Sequence, residues 1–386
     1  MNVQEIELYH IQVPIKQRID ISSLPKNYHI GDSILVKLQS INGDVGWGEC
    51  IPSQGMTGET IDTCITHLKS VLIPAILEME LPDISHPNEL MSLLKHFHDR
   101  LPKHKDPDVI AFNAARCGLE LALVDCVLTQ LTWSLGQCLL PNKKEVIYSG
   151  IIIPSTLEKS MRLARRYRLF QIPHITIHAT GLNDIDRVAA IRKVMGNKVS
   201  IRLDLKGIYT PEQAIEVSSQ AQYYDIDAIS QPVNRHERAA WSKIKQASAV
   251  PLMADESLVN LQDAQYLVEH QVADYFNLSL SKLGGIYPLI EMAAFANSHH
   301  IQYQLGCWVG ETAILSAVTR SLAAHLQPKW VEGAYGPYIF KREISETPVD
   351  FRCWGKGALL NGVGFGIQVK ESEIKALSVR QWKGAS

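Results

Sequence analysis

Four polar residues follow four successive apolar runs in the second half of the chain, at nearly constant intervals. Asp204, Ser230, Asp255 and Ser279 are separated by 26, 25 and 24 residues. One strand–helix unit has about this length in a parallel barrel of ~250 residues. Because such barrels hold their chemistry at the carboxyl ends of the strands, we expect these side chains to meet at one mouth.

A lysine and a histidine add a cation and a candidate base to this group. Lys206 follows Asp204 by two residues, and such residues share a face of a strand, so its ammonium is expected beside that carboxylate. His178 could act as a general acid or base near neutral pH. His174 alternates onto the same face and is expected to lie deeper. The alternatives are that His178 only forms hydrogen bonds, and that Asp204 and Asp255 are only strand-end carboxylates paired with Lys206 and Arg202.

Several polar or aromatic side chains are weaker candidates. Thr176 and Ser279 carry hydroxyls, which need an adjacent base to become nucleophiles. With Ser230 and Trp308, they are expected to line a substrate pocket, although Trp308 could simply pack. Glu256 follows the aspartate of its run and should point to the opposite face, which predicts a structural role.

The elements that position these residues are eight apolar runs, with amphipathic helical segments between them. This alternation favours a parallel (β/α) barrel. An open doubly wound sheet is the alternative, but no glycine-rich phosphate turn follows any run. The runs are Val146–Ile153, His174–His178, Val199–Asp204, Ala228–Ser230, Pro251–Ala254, Tyr275–Ser279, Ile301–Leu305 and Trp330–Gly333.

The first hundred or so residues have a different pattern, with strands followed by helices. Two loops, Lys16–Gly31 and Ile51–Gly58, are expected to close over the barrel mouth, because long loops of compact domains are often functional. The predicted elements are strands at Ile6–Val13, Ser33–Ser40 and Val45–Cys50, and helices at 58–101 and 108–131.

Composition excludes several classes of partner. With 46% hydrophobic and 20% charged residues in a chain of 386, the protein is expected to be globular. A net charge of -2 gives no reason to expect a nucleic-acid partner. No signal peptide and no membrane span is predicted. Seven cysteines without metal or disulfide spacing suggest a reducing cytoplasm. The basic cluster at 162–168 is a solvated face or a subunit contact, and we expect a homo-oligomer.

A series of short motifs resembles the enolase superfamily, in its muconate-lactonizing subgroup, over nearly the whole chain. The resemblance implies a (β/α)7β TIM-type barrel at 140–349 and an N-terminal α+β capping domain at 1–130, on which residues 350–386 pack. The motifs are Gly46-Trp-Gly-Glu49, Leu119-Glu-Leu-Ala-Leu-Val-Asp125, Arg202-Leu-Asp204, Ser230-Gln-Pro232, Ala254-Asp-Glu-Ser257, Asn277-Leu-Ser-Leu-Ser-Lys-Leu-Gly-Gly285 and Glu332-Gly-Ala-Tyr-Gly-Pro337.

The resemblance implies a metal site from which this chain departs. In that family three carboxylates hold a divalent ion, usually Mg²⁺, which stabilises an enolate. Asp204 and Asp255 match the first and third ligands, but Ser230 stands at the second. Lys206 stands where the motif has Asn. Losing an anion and gaining a cation should leave little or no Mg²⁺ binding, so we expect no cofactor.

The family's lysine bases are also replaced. Thr176-Ile177-His178 falls at a Lys-x-Lys on the second strand, and Ser279 falls at the lysine of the sixth. Glu332 matches the acid of the eighth strand. The resemblance therefore implies a divergent isomerase, cycloisomerase or lyase. It would transfer protons on a small carboxylate substrate, using His178 as base and Lys206 as electrostatic stabiliser. The alternative is a non-catalytic homologue that binds a small ligand or a partner protein.

Overall fold

The computed structural model describes residues 2–16, 30–104, 106, 109–153, 156–181, 183–247, 249–308 and 310–384. The described residues form fourteen strands, numbered β1 to β14 in chain order. They are Val3–Pro14, Ile30–Ser40, Val45–Cys50, Glu145–Ile147, Gly150–Ile152, His174–His178, Ser200–Asp204, Ile226–Ser230, Leu252–Ala254, Tyr275–Leu278, Gln302–Leu305, Trp330–Val331, Lys356–Ala358 and Ser378–Lys383.

Fifteen α-helices, α1 to α15, occur in the same described ranges. None of them is long and apolar enough to cross a membrane. They are Ile61–His67, Ile73–Leu77, Leu90–Arg100, Asn113–Gln130, Leu135–Leu139, Leu157–Leu169, Asp184–Met195, Pro211–Ala221, Trp241–Ala247, Leu261–Glu269, Leu280–Leu283, Ile286–Ser298, Ala313–Leu326, Gly336–Ile339 and Glu371–Leu377. Shorter turns of other helix types lie at Leu68–Leu72, Pro87–Glu89, Gln222–Tyr224, Arg235–Ala240 and Cys353–Gly355.

The N-terminal sheet is antiparallel, in the order β14-β1-β2-β3, and helix α4 packs against β3. Two glycines of β3 allow this close packing. A Cβ atom on Gly46 would lie 2.2 Å from the carbonyl oxygen of Ala122, and one on Gly48 would lie 1.9 Å from that of Gly118. Both distances are shorter than any van der Waals contact, so the Gly-Trp-Gly-Glu motif is needed for the strand to meet the helix.

The second sheet has eight parallel strands, hydrogen-bonded in sequence order from β5 to β12. The amide of Ser149, just before β5, donates to the carbonyl oxygen of Val331 in β12 at 2.8 Å, so the first and last strands meet. The predicted barrel and its capping domain are therefore confirmed. Strand β14 pairs with β1, whereas β13 pairs with β4.

Local sequence signals explain where several barrel helices begin. Thr210 and Thr312 lie just before α8 and α13, and the side chain of each accepts a backbone N–H of the first turn at 3.4 Å. Asn260 does the same for α10 at 2.9 Å. Such caps satisfy amides that have no partner within the helix. They also fix the strand-to-helix loops, which carry the residues at the barrel mouth.

Two predicted elements differ from the structure. The helix predicted at 58–101 is interrupted between Leu77 and Pro87, because Pro82 and Pro87 cannot continue a helix. The strand predicted at Val146–Ile153 is two strands, since β4 turns away to pair with β13 and only β5 enters the barrel. Of the predicted loop Lys16–Gly31, residues 17–29 lie outside the described part of the chain.

Candidate active site

The carboxyl ends of the barrel strands surround a cavity of about 900 Å³. Residues 51–56, which follow β3, also line it, as predicted for that loop. Arg235 Nη1 donates to the carbonyl oxygen of Met56 at 2.9 Å and ties the loop to the barrel. All nine candidate side chains line this cavity: Thr176, His178, Asp204, Lys206, Ser230, Asp255, Ser279, Trp308 and Glu332.

Lys206 lies beside Asp204, with 3.5 Å between Nζ and Oδ2. The contact was predicted from side-chain alternation along a strand, and that reason was wrong. Strand β7 ends at Asp204, and Lys206 has a left-handed φ of 54°. The Lys206 amide donates to Asp204 Oδ1 at 3.0 Å and fixes the turn. Burial disfavours the charge of Lys206, but the carboxylates of Asp204, Glu256 and Asp255 outweigh it and raise the pKa. The ammonium therefore stays charged.

A second lysine, Lys282 in helix α11, holds the other aspartate. Its Nζ lies 2.7 Å from Asp255 Oδ1, and the Lys282 side chain is fully buried. The ammonium also donates to the backbone oxygens of Asp255 at 3.0 Å and Asn277 at 2.5 Å. These three acceptors use all three donors of the group. Sequence reasoning missed this residue, although it lies in the Ser-Lys-Leu-Gly-Gly motif.

His178 ends β6, and its Nε2 is 3.7 Å from Asp204 Oδ2. That distance is too long for a hydrogen bond but short enough for an ion pair once the imidazole is protonated. Burial, followed by the charges of Lys206 and Arg187, lowers the pKa of His178 well below its usual value. The free imidazole is therefore neutral at pH 7. Its Nδ1 is buried and has no hydrogen-bond partner among the described residues.

Glu332 and Thr176 belong to a buried cluster around Arg202. Arg202 Nη2 lies 3.0 Å from Glu332 Oε1, and it donates to Thr176 Oγ1 at 2.7 Å and to Ser149 Oγ at 2.9 Å. Thr176 also donates to Glu332. The alternative in which Arg202 pairs with Asp204 or Asp255 is therefore wrong, because the guanidinium pairs with Glu332.

Glu256 is not turned away from the site. The strand β9 ends at Ala254, so side-chain alternation does not extend to Glu256, which lines the cavity. Burial, with added repulsion from Asp255 and Asp204, raises its pKa to about 8. Its Oε2 has no hydrogen-bond partner within the described ranges. The predicted structural role of Glu256 was based on a wrong orientation.

Three of the remaining candidates line the cavity, and His174 does not. Ser230 and Ser279 are buried at the ends of β8 and β10, and half-buried Trp308 follows β11. His174 lies at the opposite end of β6 from His178 and does not line the cavity. Sequence reasoning gave no site role to Gln304, a buried amide in the cavity wall.

The donor set around Asp204 and Asp255 is a poor match for Mg²⁺. That ion takes an octahedron of oxygens, usually with carboxylates among them. Here each aspartate contacts an ammonium group, and Ser230 supplies a hydroxyl at the third position. Among the described residues, no group of three or more His, Cys, Asp or Glu side chains is arranged to hold a metal.

Comparisons with known proteins agree with this architecture. Residues 159–373 match the family model described as "Enolase C-terminal domain-like". The chain is 26% identical to D-Ala-D/L-Ala epimerase of Cytophaga hutchinsonii over 79% of each chain. It is 24% identical to N-succinyl-L-Arg/Lys racemase of Bacillus cereus over 99% of each chain. Identity to chloromuconate cycloisomerase of Cupriavidus pinatubonensis is 24%, over 89% of this chain and 90% of that protein.

A solved structure shows the same fold over the whole length of the chain. The crystal structure of N-succinyl Arg/Lys racemase from Bacillus cereus superimposes with a TM-score of 0.84 at 23% identity and covers 100% of both chains. These relatives are named as an epimerase, a racemase and a cycloisomerase. The relationships therefore support an isomerase-type enzyme.

Proposed function

Because the chain belongs to the enolase C-terminal domain-like family, we propose that it is an isomerase that moves a proton next to the carboxylate of a small substrate. The reaction takes place at the barrel mouth, with His178 as base. Lys206 stabilises the enolate-like charge, and no divalent ion takes part. The substrate is a small carboxylate because the relatives are named for dipeptides, N-succinyl amino acids and a chloromuconate.

The position of His178 in the cavity wall is the observation that supports the base most directly. The lowered pKa keeps the imidazole neutral, as a base must be before it accepts a proton. Once protonated, the imidazolium lies 3.7 Å from the carboxylate of Asp204, which stabilises it. Asp204 thus stabilises the imidazolium that forms during proton removal more than it stabilises the neutral imidazole of the free protein.

Lys206 provides the positive charge that an enolate needs. Its side chain is 25% exposed toward the cavity, while that of Asp204 is 9% exposed. An ammonium has three donors, and Asp204 cannot use them all. A fixed cation in a partly buried site stabilises developing negative charge without reorganisation during the reaction.

Hydrogen exchange in D2O tests the base. Wild-type protein is incubated with dipeptides, N-succinyl amino acids and muconates, and deuterium next to the carboxylate is measured by mass spectrometry. We expect exchange in at least one class, and His178→Gln should slow it by ~10²–10⁴-fold. His174→Gln is the matched control, because it changes a histidine of the same strand outside the cavity. Equal exchange by both variants would show that His178 is not the base.

Chelation tests the absence of a metal. Extensive EDTA treatment should leave exchange and thermal stability unchanged, and millimolar Mg²⁺ should not raise the Tm, because a ligand stabilises only the state that binds it. Metal content is measured by plasma mass spectrometry on the purified protein. Stoichiometric Mg²⁺ together with a fall in Tm on chelation would refute the metal-free mechanism.

A further inference from the structure

We infer that this site exchanges protons on only one face of its substrate, and that Ser279 is the residue that makes it so. The inference rests on the proposed function, since it concerns the proton transfer assigned to His178. It implies that the protein does not invert a stereocentre, in contrast to the epimerase and racemase to which it is similar.

The strands that precede His178 and Ser279 lie on opposite walls of the barrel. The barrel strands run in order from β5 to β12, so β6 is the second of the eight and β10 is the sixth. Four steps separate them in either direction around the ring, which places them on opposite walls. His178 ends β6 and Ser279 follows β10, and both line the cavity. A substrate held between them presents one face to an imidazole and the other to a hydroxyl.

Inversion of a carbon centre by proton transfer needs a group on each face. One group removes the hydrogen as a proton, and the other delivers a proton from the opposite side. A serine hydroxyl cannot take either part near neutral pH unless an adjacent base activates it. Inversion would therefore require such a group on the wall that carries Ser279.

The nearest cation along the chain, Lys282, cannot substitute for that group. It is fully buried, and its three donors are used by the carboxylate and carbonyl oxygens of Asp255 and by the carbonyl oxygen of Asn277. Asn277 and Gln304 are amides, which do not exchange protons with carbon acids. Burial raises the pKa of Cys307 well above its usual value, so the thiol does not act as a base.

Glu256, which lines the cavity two residues after the end of β9, is given a different role. Together with Asp204 and Asp255, it raises the pKa of Lys206, which follows β7. In this inference the charge of Glu256 acts on that cation, which is to hold the substrate carboxylate. This leaves the face opposite His178 without a proton-transfer group.

The step that remains is a suprafacial transfer. The imidazole of His178 takes the hydrogen next to the carboxylate as a proton, and the C–H electron pair passes into the carboxylate as an enolate-like charge. The imidazolium then returns a proton to the same face, at the same carbon or at a carbon conjugated with it. No oxidant, reductant or second substrate is needed. In D2O, exchange at the original carbon therefore occurs with retention of configuration.

Pairs of stereoisomers test this inference. L-Ala-L-Glu with L-Ala-D-Glu, and N-succinyl-L-Arg with N-succinyl-D-Arg, are incubated in D2O, and chiral chromatography with mass spectrometry reports both deuterium and configuration. We expect wild-type protein to exchange one isomer of a pair with retention and to form none of the other. Exchange of both isomers, or their interconversion, would overturn the inference. If Glu256→Gln then removed exchange of one isomer, Glu256 would be the second base.

A base placed at Ser279 provides the complementary test. Ser279→Lys and the smaller change Ser279→His should add exchange of the opposite isomer, at least ~10²-fold above wild type. In a background of His178→Gln, only that opposite isomer should exchange. Ser279→Thr, which keeps a hydroxyl, is the control and should add nothing.

The two proposals fail in different ways in this design. If wild-type protein exchanges no isomer, the proposed function is wrong. The one-face inference is then decided by the variants at position 279. Exchange gained by Ser279→Lys or Ser279→His supports it, because a base was missing from that wall. No gain in either folded variant, checked by circular dichroism, overturns it.

Discussion

Replacement of Lys282 by methionine should destabilise the protein more than any change to a surface lysine. The Lys282 side chain is fully buried, and its ammonium lies 2.7 Å from Asp255 Oδ1. Lys282→Met keeps most of the buried volume but leaves the carboxylate without its cation. Removal of one partner of a buried ion pair costs on the order of 3–5 kcal/mol. The Asp255 side chain keeps 12% exposure at the cavity, so water can reach it, and we expect about 3 kcal/mol.

Urea unfolding, followed by circular dichroism, measures this loss as a fall in the midpoint at constant slope. Lys245→Met is the matched control, because Lys245 pairs with Asp274 at a similar distance, 2.8 Å, but both side chains are about a third exposed. Such a pair contributes about 0–1 kcal/mol. Adding Asp255→Asn to Lys282→Met should recover part of the loss, since no unpaired charge remains. If Lys282→Met and Lys245→Met cost the same, Lys282 does not neutralise a buried charge.

Three further predictions concern metal, pH and acid stability. Ser230→Glu combined with Lys206→Asn should gain Mg²⁺ affinity in a calorimetric titration, whereas either change alone should gain less. The exchange rate should fall below pH ~6, where Asp204, with a pKa raised by burial to about 6, becomes neutral and no longer stabilises the imidazolium. It should fall again above about 8, where Glu256 ionises, and Glu256→Gln should remove this upper limb. Burial, followed by the charge of Arg202, lowers the pKa of His174 to about 4. The stability that neutral His174 contributes is therefore complete above the pKa of ~6.5 in the unfolded chain, and it is lost as pH falls toward 4. His174→Gln should therefore reduce acid destabilisation, measured by urea unfolding, by up to about 3 kcal/mol.

The strand pattern of the barrel could be predicted from the sequence because it is local. Parallel strands covered by helices are apolar runs of fixed spacing, and seven of the eight predicted runs lie within two residues of the observed strands. The exception, Val146–Ile153, depends on a partner about 200 residues away. Tyr148 donates its amide to the carbonyl oxygen of Gly355 at 2.7 Å, and β4 pairs with β13. The sequence near residues 146–153 therefore does not predict that pairing.

The residues of the site could be selected from the sequence, but their partners could not. Asp204 and Asp255 were identified by position, yet the cation of Asp255 lies on a helix of four residues after the next strand. Glu256 was assigned to the wrong face because alternation holds only while the strand continues, and β9 ends two residues earlier. A shift of one residue in the end of a strand changes which side chains reach the barrel mouth. Secondary-structure propensity does not determine the end of a strand to one residue.

Charge balance predicts that replacing Ser230 alone gains less Mg²⁺ affinity than the double change. At neutral pH the two aspartates are balanced by the ammonium groups of Lys206 and Lys282, and Glu256, with a pKa of about 8, is largely neutral. A divalent ion added to this group would leave two positive charges uncompensated in a partly buried site. Ser230→Glu with Lys206→Asn leaves three carboxylates and one ammonium, and a divalent ion neutralises the remaining two negative charges. We therefore expect the double change to gain the most affinity, and the ammonium of Lys206 to oppose metal binding at least as strongly as the missing carboxylate does.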